Sequence, residues 1–518
     1  MRPAFSSEPA TDFSIPENRE AMLKAIEQVK SELGKEYPLI IGGEKRFTGQ
    51  WIESTNPGKP SQLVGKVAKA SAKDADDALA AASEAFKTWR DMSWLGRASV
   101  LLRMAGILRK RRLELAAWMV FELDKPWDEA EGEVAEAVDM LEWNAKDAMK
   151  LAKGGTHTLG RLPDEINTLH YQGIGVGVVI PPWNFPLAIL QNMTMAAVVT
   201  GNTVVLKPAS NTPVIGYKMV EIMIEAGVPA GVVNFVPGGG AEIGDTLVDD
   251  PRTRFIAFTG SKEIGIRIFE RGAKVHPGQN WFKRVTVETG GKDAVIVNND
   301  ADLDEAADGI VAGAFGFSGQ KCSACSVAVI HEDVYDEVVE KVVALTKERV
   351  KVGPGIEWGS TVNAVVDEKQ YKSILGYIES GKQDGKVLHG GNAVGDEGYY
   401  IEPTIIADLP RDAKVVMEEI FGPVLSIVKA KDFDDALDIA NQTEYGLTGS
   451  VYAKDREVLE KARYQFDVGN LYFNRKCTGA MMGVHPFGGM KLSGTNTKSG
   501  GPDYLLNFVE AKAVGEKV

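Results

Sequence analysis

Cysteine is scarce in this sequence: Cys322, Cys325 and Cys477 are the only three among 518 residues. Three cysteines cannot form the disulfide framework of a small secreted protein, and an odd number leaves at least one thiol free. Free thiols are typical of proteins in a reducing compartment. No second Cys or His pair lies near Cys322 and Cys325 to complete a zinc site, so the sequence predicts no metal.

Long apolar runs are also missing. The most hydrophobic stretch, residues 185–199, is interrupted by Gln191 and Asn192. It is shorter than the about 20 apolar residues that a membrane-spanning helix needs. Residues 1–14 lack the charged-then-apolar pattern of a signal peptide. These features predict a soluble, cytoplasmic protein that does not bind a membrane.

Positive charge is in deficit, because 58 Lys and Arg face 72 Asp and Glu and give a net charge of −14. A protein that binds nucleic acid normally carries a basic surface, so nucleic acid is not expected as a partner. The apolar fraction of 44% and the charged fraction of 25% are typical of globular proteins. The length is enough for about three domains.

Short β-branched runs alternate with helical segments in two series, which indicates βαβ units and mainly parallel sheets. The predicted strands are 39–43, 173–180, 203–206, 232–236, 254–258, 294–297, 326–331 and 507–514. The predicted helices are 15–33, 74–89, 99–123, 130–149, 214–226, 303–315 and 335–350. Residues 156–172 are polar and predict an extended excursion.

Cys322 follows a glycine-rich stretch, Phe-Gly-Phe-Ser-Gly-Gln-Lys (315–321). Glycines allow the backbone to approach a ligand closely. A thiol becomes a strong nucleophile when a cation or a helix N-terminus lowers its pKa. The alternative is that Cys322 is a small buried core residue, the commoner situation for cysteine.

Three further polar residues follow predicted strands. Glu288, before two glycines, could act as a general base, or be a solvated turn residue. Asn184, in a Pro-rich loop, could donate to an oxyanion, or form a turn. Ser261 is a good helix N-cap, where a helix N-terminus suits a pyrophosphate; the alternative is an ordinary βα turn. The sequence has no Gly-x-Gly-x-x-Gly fingerprint.

Taken in order, seven motifs resemble the aldehyde dehydrogenase superfamily over nearly the whole chain. They are Pro-Trp-Asn-Phe-Pro (182–186), Leu-Lys-Pro-Ala (206–209), Phe-Thr-Gly-Ser (258–261), Glu-Thr-Gly-Gly-Lys (288–292), Gly-Gln-Lys-Cys (319–322), Glu-Glu-Ile-Phe-Gly-Pro-Val (418–424) and Pro-Phe-Gly-Gly (486–489). The resemblance implies an α/β fold with a dinucleotide-binding domain, a catalytic domain and a β-hairpin arm for oligomerisation.

We expect an N-terminal helical segment (1–36), an NAD-binding domain (37–154 and 173–289), a catalytic domain (290–490) and an oligomerisation element (155–172 and 498–518). A homodimer or a larger assembly of dimers follows, because exposed strand edges favour association.

The resemblance also implies roles for individual residues. Cys322 would be the nucleophile, Glu288 would activate the hydrolytic water, and Asn184 with the Cys322 backbone N–H would hold the oxyanion. NAD would be the cofactor, with its ribose, pyrophosphate and nicotinamide contacts among Lys207, Gly260, Ser261, Glu419 and Phe421.

The coenzyme preference depends on Ser210. Many NAD-preferring relatives have an acid three residues after the ribose-binding lysine, which repels a 2′-phosphate. With Ser210 there, that barrier to NADP is absent. We therefore expect NAD as the main cofactor with measurable use of NADP.

Residues 474–483 together with 486–489 resemble the subgroup that oxidises L-glutamate γ-semialdehyde, the open-chain form of 1-pyrroline-5-carboxylate, to L-glutamate in proline breakdown. The implied substrate contacts are Ser323, the backbone N–H groups of Gly479 and Ala480 for the α-carboxylate, and Phe185 and Phe487 around the aliphatic chain.

Other readings stay open at this point. Within the dehydrogenases, the alternatives are succinate semialdehyde or a broad range of aldehydes as substrates. A cysteine hydrolase or acyltransferase is a second class, although none of the six histidines lies in a recognisable dyad motif. A non-catalytic binding protein with the same fold is a third.

Overall fold

The structure is a computed structural model that describes residues 5–154, 159–160 and 162–518. Its α-helices are α1 Pro16–Lys30, α2 Ala72–Trp89, α3 Trp94–Lys110, α4 Arg112–Leu123, α5 Trp127–Leu151, α6 Ala188–Val199, α7 Pro213–Glu225, α8 Asp245–Asp249, α9 Lys262–Gly272, α10 Leu303–Phe315, α11 Tyr335–Arg349, α12 Glu368–Asp384, α13 Lys414–Met417, α14 Phe433–Asn441 and α15 Arg456–Gln465.

The described residues also form β-strands throughout the chain. They are β1 Lys35–Tyr37, β2 Leu39–Ile41, β3 Glu44–Arg46, β4 Trp51–Asn56, β5 Lys59–Ala68, β6 Glu165–Gly173, β7 Val176–Ile180, β8 Thr203–Leu206, β9 Val233–Phe235, β10 Thr253–Thr259, β11 Arg284–Glu288, β12 Asp293–Val297, β13 Cys325–His331, β14 Lys386–His389, β15 Ala393–Val394, β16 Tyr400–Ile401, β17 Thr404–Ala407, β18 Val424–Ala430, β19 Tyr445–Gly446, β20 Thr448–Tyr452, β21 Asn470–Phe473, β22 Met490–Lys491 and β23 Val509–Lys517.

The first large sheet has the strand order β11-β10-β7-β8-β9-β2-β3. The five strands from β11 to β9 are parallel, and the β2–β3 hairpin adds an antiparallel edge. In the middle of the sheet, Val179 pairs with both Leu206 and Ala257. Every residue of β7 and β8 is buried. Their continuous β-branched sequences match a parallel sheet that is covered on both faces.

The second large sheet has the order β14-β17-β18-β13-β12-β20-β21. Its strands are parallel except β14, which pairs antiparallel with β17 at one edge. Helices pack on both sheets, and the predicted α/β fold with two alternating series is confirmed.

The carboxyl ends of parallel strands are where α/β proteins bind ligands. In the first sheet, β7 leads into Asn184, β8 into Lys207, β10 into Gly260 and Ser261, and β11 ends at Glu288. In the second sheet, β13 begins three residues after Cys322. The fold therefore presents most of the residues that carried the sequence motifs at strand ends.

Helix α5 is the long central helix of the N-terminal half and packs against α3, α4 and α6. Most of its residues are buried, including the acids Glu131 and Glu133. The predicted helix 99–123 is in fact two helices, α3 and α4, which meet at Arg111. The apolar spacing continues across this break, so the pattern alone does not show it.

A two-stranded antiparallel arm is formed by β6 and β23, which pair over nine residues from Glu165–Lys517 to Gly173–Val509. Most of β23 is exposed. The predicted excursion at 156–172 contains β6, while its residues 156–158 and 161 lie outside the described residues, as does residue 155 of the predicted oligomerisation element. The domain boundaries drawn from the sequence stay predictions.

Three small sheets of the described residues were not predicted, and two of them are the pairs β15-β16 and β19-β22. The third has three strands in the order β1-β5-β4, and most of its residues are partly or fully exposed. Over the ranges that the structure describes, no helix is both long and apolar enough to cross a membrane.

Candidate active site

Cys322 follows a tight turn that ends α10. Phe317 and Ser318 both have left-handed backbones, with φ of 50° and 56°. The Ser318 hydroxyl donates to the Asn363 carbonyl at 2.8 Å and accepts from the Asn363 N–H at 2.7 Å, which fixes the turn. Gly319 has φ of +64°, and a Cβ there would collide with the Gly422 carbonyl. The glycine-rich sequence is therefore needed to bring this turn against the 422 loop.

The Cys322 side chain lies where two cavities meet. One cavity, of about 260 Å³, is lined by α5, Phe185 and the loop around Gly479. The other, of about 700 Å³, is lined by the ends of β7, β8 and β10 and by the loop around Phe421. Both include Cys322 in their walls, so two ligands of different kinds can approach the same sulfur.

Burial raises the pKa of the Cys322 thiol well above its usual range, and the carboxylates of Asp293, Glu419 and Glu288 raise it further. The side chain is partly accessible from the cavities, but the negative surroundings still favour the neutral thiol. This differs from the lowered pKa that makes a cysteine reactive on its own. A cationic group bound next to the sulfur would favour the thiolate.

The Asn184 side chain is buried beside the loop that precedes Cys322. Its Nδ2 donates one hydrogen bond to the carbonyl of Gln320, at 3.0 Å. A side-chain amide nitrogen has two N–H donors, so the second is available to a ligand. Asn184 lines the larger cavity together with Cys322. This arrangement fits a donor for a developing oxyanion.

Glu288 is the last residue of β11 and lines the smaller cavity. Its Oε2 accepts from the Gly489 N–H at 2.8 Å, and its Oε1 accepts from the Thr497 N–H at 2.9 Å and hydroxyl at 3.0 Å. Burial raises the pKa of Glu288 to about 7, although these hydrogen bonds oppose the shift. A carboxyl group with a pKa near neutrality suits general-base chemistry.

Lys207 directly follows β8 and lines the larger cavity. Burial lowers the pKa of its amine to about 8. Among the described residues its Nζ makes a single hydrogen bond, of 3.4 Å, to the Pro208 carbonyl. No acidic side chain of the described residues pairs with it. A buried ammonium with unused donors fits the hydroxyls of a ribose.

Ser261 occupies the N-cap of α9 with an extended backbone, as the sequence predicts, but its side chain makes no capping hydrogen bond. Ser261, Gly260 and Ile264, in the first turn of this 11-residue helix, line the larger cavity. The N-terminus of a helix favours anions. The site therefore suits a phosphate group, and with Lys207 it fits a dinucleotide.

Glu419 and Phe421 form the opposite wall of the larger cavity. The Oε1 of Glu419 accepts from the Gly291 N–H at 3.0 Å, and a Cβ on Gly290 would collide with the same carboxylate. Burial raises the pKa of Glu419 to about 7. The Phe421 ring meets the Trp183 ring edge-on, with centroids 5.5 Å apart. The first glycine of the Gly-Gly motif, Gly290, is thus explained by its packing against Glu419.

Ser210 is exposed and is not among the residues that line the larger cavity. Its neighbour Ala209 does line it. Any influence of Ser210 on the coenzyme would act from the edge of the site.

The five predicted substrate residues lie together in the smaller cavity: Ser323, Gly479, Ala480, Phe185 and Phe487. The loop that carries Gly479 is held from behind by Arg475, which donates to the carbonyls of Thr478 and Gly479 at 2.9 and 3.1 Å.

The thiol of Cys477 also donates to the Ser323 carbonyl at 3.4 Å, which connects this loop to the segment that contains Cys322. Gly479 has φ of +77°, a conformation that glycine adopts readily.

A model of the aldehyde dehydrogenase family matches residues 45–514. The chain belongs to the aldehyde dehydrogenase family. A protein from Geobacillus kaustophilus named 1-pyrroline-5-carboxylate dehydrogenase is 55% identical to it over 512 residues, which cover 99% of each chain. One from Bacillus thuringiensis with the same name is 53% identical over 513 residues, with the same coverage.

Solved structures of aldehyde dehydrogenases give the same result. The 1-pyrroline-5-carboxylate dehydrogenase from Thermus, solved with bound NAD, superimposes with a TM-score of 0.97 at 49% identity and covers 100% of this chain and 99% of that one. Proline utilization A from Bdellovibrio bacteriovorus has a TM-score of 0.97 at 43% identity, covering 99% of this chain and 53% of that one. The family resemblance predicted from the motifs is confirmed.

Two residues of this aldehyde dehydrogenase site were missed by the sequence analysis. Lys125 donates to the Asn184 carbonyl at 3.0 Å, and Glu133 accepts from the N–H groups of Leu187 and Ala188. They lie more than 50 residues from these partners along the chain, and neither belongs to a recognisable motif. Within the described ranges, no group of three or more His, Cys, Asp or Glu side chains could hold a metal ion.

Proposed function

We propose that this aldehyde dehydrogenase oxidises L-glutamate γ-semialdehyde to L-glutamate in proline breakdown, with NAD as the cofactor. The observation that carries the proposal is the position of Cys322 in the shared wall of two cavities. The larger cavity is suited to a dinucleotide, and the smaller cavity is lined by the Gly479 loop. The full-length identity of 55% to a 1-pyrroline-5-carboxylate dehydrogenase supports the same substrate.

The first half of the reaction forms a bond between the Cys322 sulfur and the aldehyde carbon. The Cys322 thiol releases its proton to solvent, and the resulting thiolate adds to the carbonyl carbon. The negative charge that develops on the carbonyl oxygen is stabilised by the free N–H of Asn184 and the Cys322 backbone N–H. Bound NAD, which carries a positive charge on its ring, supplies the hydride acceptor. The carbon is thereby oxidised, and a thioester remains on Cys322.

The second half of the reaction is hydrolysis of that thioester. The deprotonated carboxylate of Glu288 takes a proton from a water molecule, which attacks the thioester carbonyl. The carbon–sulfur bond then breaks, the acid product leaves, and the proton held by Glu288 passes to the sulfur, which restores the thiol and the Glu288 carboxylate. The three hydrogen bonds from Gly489 and Thr497 hold the Glu288 carboxylate in place for this step.

The Gly479 loop supports recognition of the α-carboxylate of the substrate. Among the described residues, the N–H groups of Gly479 and Ala480 have no backbone acceptor, while the carbonyl side of the loop is occupied by Arg475. Successive backbone N–H groups form a concave site for an anion. The rings of Phe185 and Phe487 line the cavity between this loop and the sulfur, where the methylene groups would lie.

Acidic residues of α5 support recognition of the α-ammonium group. Glu129 pairs with Lys321 and Glu133 with Lys125, both at 2.6 Å. Glu136 lines the same cavity and has no ion pair or hydrogen bond with a described residue. Burial raises its pKa to about 7, which a neighbouring ammonium would reverse. Succinate semialdehyde has no such group.

We also propose that the protein is cytoplasmic and forms a homodimer or a larger assembly of dimers. The three free cysteines support a reducing compartment. The exposed arm of β6 and β23 supports association, because its outer strand edges have unpaired backbone groups.

The substrate is tested by kcat/KM for glutamate semialdehyde, succinate semialdehyde and simple aliphatic aldehydes, each with NAD. We expect kcat/KM to be highest for glutamate semialdehyde, lower for succinate semialdehyde and lowest for the aliphatic aldehydes. Equal or higher kcat/KM for the aliphatic aldehydes would contradict the carboxylate site at Gly479 and Ala480. Equal kcat/KM for the two semialdehydes would contradict the ammonium contact and leave the carboxylate site standing.

A further inference from the structure

Lys125 and Glu133 form an ion pair in the protein interior, with Nζ and Oε2 2.6 Å apart. Both side chains are completely buried. Lys125 lies between α4 and α5, and Glu133 lies on α5. A charge pair that is removed from water loses its hydration and requires further hydrogen bonds from the protein. The partners that supply these bonds show what the pair holds in place.

All of the additional backbone hydrogen bonds go to one segment, residues 184–188. Lys125 Nζ donates to the carbonyl of Asn184 at 3.0 Å. Glu133 Oε1 accepts from the N–H groups of Leu187 and Ala188 at 2.8 and 2.9 Å. These two N–H groups lie at the start of α6, where no helical carbonyl is available to them. The ion pair therefore fixes both ends of the segment that carries Asn184 and Phe185.

The ammonium of Lys125 also lies between two aromatic rings. It is 4.2 Å from the ring centroid of Phe185 and 4.5 Å from that of Phe317. Phe185 belongs to the loop with Asn184, and Phe317 belongs to the left-handed turn five residues before Cys322. A cation attracts both ring faces. Lys125 thus joins the loop that carries the amide donor to the loop that carries the nucleophile.

We propose that Lys125 and Glu133 are positioning residues for thioester formation. They hold the Asn184 amide at the distance from Cys322 that the oxyanion requires. Neither side chain takes part in bond making, and their effect on the reaction passes through Asn184. The inference rests on the proposed role of Asn184 as an oxyanion donor.

A second buried lysine provides a matched control. Lys218 lies over the rings of Trp118 and Tyr37, at 4.7 and 5.2 Å. Its Nζ is 3.8 Å from both Glu32 and Glu221. Like Lys125 it lies between two aromatic rings near carboxylates, although its carboxylates are farther away, and it lines neither of the two cavities. Removal of its charge reports the general cost of disturbing a buried lysine in this fold.

The test measures the pre-steady-state burst of NADH, which reports hydride transfer, in full-length variants. We expect Asn184→Ala to slow the burst about 10²- to 10³-fold. Lys125→Met is expected to slow it about 10²-fold, since a displacement of about 1 Å costs that much. Glu133→Gln, which retains an acceptor oxygen, is expected to slow it less. The KM for NAD should change less than about twofold, and Lys218→Met should leave the burst rate unchanged.

The double variant Lys125→Met/Asn184→Ala distinguishes positioning from a separate effect. If Lys125 acts through Asn184, the double variant is no slower than Asn184→Ala alone, because groups that act as a unit are not additive. If the reductions in burst rate from the two single substitutions multiply in the double variant, the inference is overturned. It is also overturned if Lys218→Met slows the burst as much as Lys125→Met does. If Lys125→Met does not fold, the same cycle is made with Glu133→Gln.

The outcomes separate this inference from the proposed function. An unchanged burst in Asn184→Ala would contradict the oxyanion role and the inference together. If Asn184→Ala is slow and the double variant is slower still by the full factor of Lys125→Met, the inference alone is contradicted. Thermal unfolding of each variant is measured alongside, because loss of stability without loss of burst rate would show that the ion pair supports only the fold.

Discussion

Thr497 donates two hydrogen bonds to one oxygen of Glu288, from its backbone N–H at 2.9 Å and from its hydroxyl at 3.0 Å. The other oxygen of Glu288 accepts from Gly489. The carboxylate is therefore held by three donors in an environment that otherwise disfavours its charge. This balance of burial and hydrogen bonding sets the pH range over which Glu288 loses its proton.

We expect Glu288→Gln to separate the two halves of the reaction. An amide cannot take a proton from water, so hydrolysis of the thioester should slow about 10²- to 10⁴-fold. The first hydride transfer does not require this base and should remain as a burst of NADH. Rapid mixing with glutamate semialdehyde measures both rates. A variant without a burst would show that Glu288 acts before the thioester forms; Cys322→Ala, which lacks both phases, is the control.

The hydrolysis step should depend on pH with a midpoint of about 7, the raised pKa of Glu288. A general base acts in its deprotonated form, so the rate rises as the pH increases through 7 and falls below it. Thr497→Val removes the hydroxyl donor, which favours the charged form, and the midpoint should move to higher pH. Thr495→Val is the matched control, because the Thr495 hydroxyl bonds to Val287. An unmoved midpoint in Thr497→Val would exclude Glu288 as the titrating group.

The coenzyme preference should respond to a charge at position 210. With Ser210, we expect NAD to have the higher kcat/KM and NADP to be used measurably. Ser210→Glu should reduce kcat/KM for NADP about tenfold, since a like charge near the 2′-phosphate is repulsive. Ser210→Gln has nearly the same size without the charge and should leave NADP use unchanged. Equal kcat/KM for NAD and NADP in the unmodified enzyme would contradict the predicted preference.

Gly319 should be sensitive to the smallest substitution. Gly319→Ala places a Cβ against the Gly422 carbonyl in a left-handed backbone with φ of +64°, which we expect to lower the free energy of unfolding by about 1–3 kcal/mol. Gly376→Ala is the control: this glycine lies inside α12 with no atom near its added Cβ. It should raise stability by about 0.5–1 kcal/mol. Urea unfolding measures both changes, and equal effects would contradict the packing argument.

The sequence predicts the parts of this molecule that local patterns encode. Buried parallel strands such as β7 have continuous apolar runs, and the motifs mark Cys322, Glu288 and Asn184 at the ends of strands or in tight turns. The role of Lys125 could not be predicted, because its interactions depend on the tertiary meeting of α5 with two distant loops. The sheet of β1, β5 and β4 was missed because its half-exposed strands mix polar and apolar residues without a clear period.

The raised pKa of Cys322 was also not foreseen. Gly291 allows the Cys322 carbonyl and the Asp293 carboxylate to approach closely, and that acid is among the groups that disfavour the thiolate. Glu419 contributes from the loop at 418–424. These carboxylates come from separate segments of the sequence. Their combined effect on the pKa of Cys322 is therefore evident only in the folded chain.

Because the sulfur is reached from two chambers, the organic acid and the spent coenzyme have separate exits. A compound that mimics the acid and fills the chamber beside Phe487 would compete with the aldehyde while the coenzyme still binds. Such a compound and a coenzyme analogue in the other chamber could then bind the enzyme at the same time. The first would compete with the aldehyde and the second with NAD in steady-state kinetics.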